Sequence, residues 1–161
     1  VIHLIKNALH TASLAQKIPG GDFRGFNSIY RSDWEEAPER ELPNLSWEWG
    51  GGLTFNSFTN PLDIQFDIQA VIKTSAVASP AEGSEDLLKL LWDLDATSEW
   101  GLIPWLIDNR CISLPPTPYS VVLTPKVGEP IAEKIDDEHF SFTTLVLIQC
   151  QVQRDPRYIA P

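Results

Sequence analysis

Residues 62–73 read Leu-Asp-Ile-Gln-Phe-Asp-Ile-Gln-Ala-Val-Ile-Lys, and apolar and polar positions alternate along most of that stretch. Leu62, Ile64, Phe66, Ile68, Ala70 and Ile72 fall on one side; Asp63, Gln65, Asp67, Gln69 and Lys73 fall on the other. Successive strand side chains point to opposite faces, so the pattern predicts a long strand with one dry face. A second such run, Phe140, Phe142, Thr144, Val146, Ile148, Cys150 and Val152, lies near the C-terminus. The turn Asp136-Asp137-Glu138-His139 joins it to residues 131–135 as a closing hairpin, and residues 119–124 predict a short strand.

Other segments repeat at helical spacing. Ile2, Ile5, Leu9 and Ala12 recur every three or four residues, with Lys6, Asn7, Ser13 and Lys17 elsewhere, until Pro19-Gly20-Gly21 ends the pattern. Ser79-Pro80-Ala81-Glu82 is a helix start: serine caps the free amides, proline suits the first position and glutamate completes a capping box. Leu87, Leu88, Leu91 and Leu94 then form a stripe that Leu90 and Trp92 widen. Gly83 weakens the first turn by about 1 kcal/mol relative to alanine.

Elsewhere the expectations are extended. Leu45-Ser46-Trp47-Glu48-Trp49, then Gly50-Gly51-Gly52, then Leu53-Thr54-Phe55 read as a hairpin with a glycine turn. Asn60-Pro61 supplies another turn. Ile103, Trp105 and Ile107 alternate, and Pro115-Pro116-Thr117-Pro118 makes an extended connector. Residues 20–44 lack a regular pattern. They interleave Phe23, Phe26, Tyr30 and Trp34 with Asp33, Glu35, Glu36, Glu39, Arg40 and Glu41, as a binding arm or as aromatics folded back on the core.

The whole predicts one α+β domain over residues 1–161: a mainly antiparallel, one-sided sheet with an N-terminal helix and a central helix packed on one face. A chain of this length buries roughly 70% of its unfolded surface. The net charge of -10 opposes phosphate backbones and anionic lipid, so no tight nucleic-acid binding and no membrane contact are expected. No apolar run approaches the ~18 to 20 residues that cross a bilayer, and no secretory leader is evident, which makes the cytoplasm the expected place of synthesis. In that compartment Cys111 and Cys150 are expected as thiols, Cys150 on the dry face of its strand.

Candidate chemistry is sparse. Asp136, Asp137, Glu138 and His139 are the densest set of metal ligands, yet four successive residues converge on one ion only with special backbone geometry. A solvated turn explains them better. Asp63 and Asp67 share the wet strand face, but four strand residues separate them by about 13 Å. Glycosidase pairs sit roughly 5 to 9.5 Å apart. They read instead as solubilising or subunit-facing charges. The three glycines lack the Lys-Ser/Thr and helix of a phosphate loop. His3 and His10 lie two helical turns apart, and no nucleophile elbow or His-Glu-x-x-His is present. No catalytic, metal or cofactor residue is therefore assigned, and a non-enzymatic role is expected. Trp34, Trp47 and Trp49 suit sugar stacking or a protein interface, Trp47 and Trp49 equally well a core. Trp92, Trp100 and Trp105 are expected in the core.

The order of elements resembles the tail terminator proteins of long-tailed bacteriophages. The segments that carry it are the strand over residues 63–72, the helix around Glu85-Asp86-Leu87-Leu88-Lys89-Leu90-Leu91, and the closing Phe142-Thr143-Thr144-Leu145-Val146-Leu147-Ile148-Gln149-Cys150. That resemblance implies a virion subunit in a six-fold ring that ends tail-tube growth and joins the tube to the head connector. In a contractile tail it also touches the sheath, and DNA passes through the ring. Phe23, Phe26, Tyr30, Trp34, Asp63 and Asp67 are the expected subunit contacts. A different neck or baseplate protein and a tryptophan-based carbohydrate-binding module are the alternatives.

Overall fold

The computed structural model of the chain describes residues 2–16, 26–31, 41–56, 63–92, 101–114 and 117–154. The expected stop at Pro19-Gly20-Gly21, the Asn60-Pro61 turn, Trp100, and Pro115-Pro116 lie outside them. Among the described residues, the order is α1 (Ile2–Gln16), β1 (Ser28–Tyr30), β2 (Asn44–Phe55), β3 (Ile64–Lys73), α2 (Pro80–Leu91), α3 (Leu102–Asp108), β4 (Cys111–Ser113), β5 (Tyr119–Val127), β6 (Ile131–Lys134) and β7 (Phe140–Arg154).

The strands form one curled sheet in the order β1-β2-β3-β7-β5-β4, with β6 paired to β7 beside β5. The two alternating runs lie at its centre, side by side and antiparallel, with Ile68 opposite Ile148. The hairpin of β6 and β7 forms as expected. The sheet is mixed, however: β1 runs parallel to β2.

Even-numbered residues of β3 and β7 supply the dry face. Ile5 and Leu9 of α1, Leu87, Leu90 and Leu91 of α2, and Leu102, Trp105 and Leu106 of α3 join them in one core. Trp47 Nε1 donates to Ser13 Oγ at 2.9 Å, tying β2 to α1 inside that core. The Ser79 cap forms, with its hydroxyl accepting from the Glu82 amide at 3.3 Å. Gly83 packs against Phe142 so closely that a Cβ would enter the ring.

One-sidedness holds only in part. On the opposite face Asn44, Ser46, Val71, Ser141 and Thr143 are also buried, so one end of the sheet is dry on both sides. Three local expectations are corrected. The glycine hairpin is a single strand, β2, whose two halves both pair with β3. Residues 102–108 are a helix rather than an alternating strand, with Pro104 tolerated in its first turn. Trp92 follows the last turn of α2 and is 40% exposed instead of buried.

Candidate subunit-interaction edge

A strand inside a sheet has two partners; the outer strands have one and offer unpaired amides and carbonyls on the other side. On the outer side of β2, β1 covers only Asn44, Leu45 and Ser46. No described strand pairs with the outer side of residues 47–55. The direction of each backbone group follows from flanking bonds. Pro43 C=O accepts outward, from Asn27 N–H at 2.8 Å, so Leu45, Trp47 and Trp49 share that direction. Asn56 N–H donates inward, to Asp63 C=O at 2.9 Å, so Leu53 and Phe55 point outward.

Two register shifts, between Trp49 and Gly51 and between Gly51 and Thr54, place two extra residues in β2 opposite β3. An even number of extra residues preserves the alternation. Trp49, Leu53 and Phe55 therefore stay on the dry face, yet at this corner they are 47%, 43% and 63% exposed. Trp49 stacks on the buried Phe66 ring with centroids 6.4 Å apart and planes 5° from parallel. Gly51 and Gly52 supply the turns of the bulge at φ 82° and 67°. Beneath them lies Asp67: a Cβ on Gly52 would sit 2.5 Å from its Oδ2, and one on Gly50 would sit 3.0 Å from its backbone.

The far side of the sheet is built differently. Leu123 N–H donates outward to Arg110 C=O at 2.7 Å, so Pro125, two residues on, occupies an outward position with no N–H to offer. Pro130 lies in the break between β5 and β6, where Gly128 N–H bonds Leu145 C=O at 2.7 Å. Prolines at a sheet border block strand addition. Proline thus interrupts the outer side of β5 beyond β4, while the β2 border carries a bulge, no proline in residues 44–55 and an apolar corner.

The expected contact residues separate. Phe23 and Trp34 lie outside the described residues. Phe26 belongs to the core at 3% exposure, which corrects its assignment to a subunit contact: a ring already enclosed has no surface for a neighbour. Tyr30 is half-buried on β1, with its hydroxyl enclosed and lacking a hydrogen-bond partner. Asp63 accepts long hydrogen bonds from Asn56 Nδ2 at 3.5 Å and Gln151 Nε2 at 3.4 Å, at the end of the open edge. Asp67 supports the glycine bulge from below. Sequence reasoning missed Leu53 and Phe55 as a surface feature because a hairpin would have given them a strand partner.

Other candidates resolve locally. His139 Nδ1 lies 2.8 Å from Asp136 Oδ1, and the Glu138 amide donates to the same oxygen at 2.8 Å. The Glu138 amide first, and then His139, hold the Asp136 carboxyl below its usual range. This is the bonding of a turn, and among the described residues no three His, Cys, Asp or Glu side chains gather as a metal site. Cys111 is half-buried and Cys150 is buried. Burial first, and then the charge of Asp67, push the Cys150 thiol up to about 12, so it stays protonated and inert. No protein-family model and no curated protein sequence matches the chain.

Proposed function

We propose that this chain is a structural assembly protein of the tail terminator kind, whose copies form a ring that caps a tail tube and joins it to a head connector. The observation that supports the reading is the outer side of β2, which no described strand covers beyond Ser46, coinciding with the exposed apolar corner at Trp49, Leu53 and Phe55. An unpaired edge offers main-chain bonds, and exposed aromatic and aliphatic side chains beside it offer burial; together they suit a protein surface. The helices lie on the dry face of a largely antiparallel sheet, leaving much of the opposite face polar, as a subunit between other subunits requires. The carbohydrate alternative keeps little of its platform, because Trp47 is in the core and donates to Ser13.

The test mixes the purified chain with purified tail tubes and measures bound mass and tube length. A ring on the tube end, with a mass that is a multiple of 18.0 kDa, is the expected result. A chain that binds neither tube nor connector overturns it.

A further inference from the structure

We infer that β6 is a strap that opens by itself, leaving the rest of the sheet folded and baring a pairing edge on the first residues of β7. All four residues of β6 are exposed, and so are residues 128–130 before it and 135–138 after it. Ile131, its largest apolar side chain, is 61% exposed. Among the described strands β6 pairs with β7 alone. Its place is therefore held by main-chain bonds at the surface and by almost no burial. Such a segment opens at less cost than global unfolding. The inference does not rest on the ring.

The bonds that break on opening are few. Ile135 N–H donates to His139 C=O at 2.9 Å, toward β7, so Glu133 and Ile131, at two-residue steps, direct their amides and carbonyls the same way. One ion pair adds to them: Lys73 Nζ on β3 reaches across β7 to Glu133 Oε2 at 3.5 Å, with 47% of the Glu133 side chain exposed. Surface pairs of this kind contribute little. The bonds that stay lie on the other side of β7. Thr74 N–H donates to Phe142 C=O, Phe142 N–H donates to Thr74 Oγ1, and Val77 exchanges bonds with Phe140, all at 2.8 to 2.9 Å. Gly128 N–H, bonded to Leu145 C=O at 2.7 Å, marks where β5 holds and the strap begins.

A second observation favours the open form. Ile131 lies opposite Thr143 and Glu133 opposite Ser141, so these four side chains share the face away from the helices. Ser141 is fully buried and Thr143 is 6% exposed, yet neither hydroxyl has a hydrogen-bond partner among the described residues. β6 gives them none, because Ile131 carries no polar side-chain atom and the Glu133 carboxylate turns to Lys73. Departure of β6 wets that flank of β7 and lets water bond both hydroxyls, which offsets part of the main-chain bonding lost. It also frees the N–H and C=O groups of Ser141 and Thr143, an edge that another strand can join.

Native-state hydrogen exchange by NMR, in water and in low urea, tests the strap. The Ile131 and Glu133 amides are expected to exchange about 100-fold faster than those of Ile68 and Ile148, which pair at the sheet centre. Their exchange is expected to depend weakly on urea, because opening the strap exposes little surface. Thr143→Val removes an unbonded hydroxyl at nearly constant volume, and is expected to slow the β6 amides about fivefold relative to the central ones. Taking the ratio of strap to central rates cancels any change in global stability. Strap amides that exchange at the central rate, with the same urea dependence, overturn the separate opening. A Thr143→Val chain whose ratio is unchanged or higher overturns the part given to the hydroxyls. None of these rates measures tube binding, so the ring reading stands or falls apart from them.

Discussion

At the level of single residues, Gly83 shows packing overruling propensity. In an isolated helix, glycine costs about 1 kcal/mol relative to alanine, so Gly83→Ala ought to stabilise α2. In the folded chain the position of a Cβ is occupied by Phe142, with the Val77 Cγ2 only 3.2 Å away. Both neighbours are anchored: Val77 bridges Phe140, and the Phe142 amide donates to Thr74 Oγ1 at 2.9 Å. Neither can retreat without loosening α2 from β7. Gly83→Ala is therefore expected to destabilise the fold by about 1 to 3 kcal/mol, the usual range for overpacking. Ser84→Ala, one residue along on the exposed face, is expected to be neutral or slightly stabilising. Urea denaturation of the two variants separates these outcomes, since propensity alone predicts a gain at both positions.

Whole elements were legible where a period met clear boundaries. β3 and β7 alternate without competing signals, and α2 begins at a serine, proline and glutamate that each supply a physical reason to start. α3 was not legible because Leu102, Ile103, Trp105, Leu106 and Ile107 are apolar almost without interruption. Such a run fits an alternating strand as readily as a short buried helix. β1 is three residues long, and its strand geometry depends on β2 rather than on its own sequence. β2 failed for a subtler reason. Glycines with positive φ serve both hairpin turns and bulges, and only the register of Thr54 on Gln65 distinguishes the two. The candidate edge was hidden by the same ambiguity, because a hairpin would leave these residues paired. The bulge makes its own prediction. Gly52→Ala must hold a Cβ at φ 67° and displace Asp67, so a loss of about 1 to 2 kcal/mol in thermal or urea unfolding is expected. Gly51→Ala carries the backbone cost at φ 82°, but its Cβ meets only Trp49 Nε1 at 3.6 Å. Its loss is expected to be smaller.

The molecule as a whole has one described core cluster, and α1, α2, α3 and the central strands all contribute to it. A group buried there ionises only if the shared packing opens, so its titration reports on global stability. Cys150 is such a group: it is fully buried between Phe66 on β3 and Leu123 on β5, and its thiol is raised from 9.0 to about 12. In the unfolded chain the thiol loses its proton near its ordinary value, while in the folded chain it keeps it. Below pH 9 the two states bind the same proton and stability is unaffected. Above it the folded state binds more protons than the unfolded one, so stability falls as pH rises, by about 1.4 kcal/mol per pH unit until the folded thiol itself ionises. Asp136 behaves oppositely but locally: its lowered carboxyl favours the β6–β7 turn above its ordinary range, and that support fades as pH falls through the folded value. Cys150→Ala isolates the alkaline effect. The variant starts less stable at pH 7 because it leaves a small cavity, yet it lacks the thiol's contribution to the decline above pH 9. The difference in unfolding free energy between native chain and variant is expected to shrink steadily from pH 9 to 11. A difference that stays constant across that interval would show that the thiol ionises without opening the core, and hence that the centre of the sheet is not sealed as a unit.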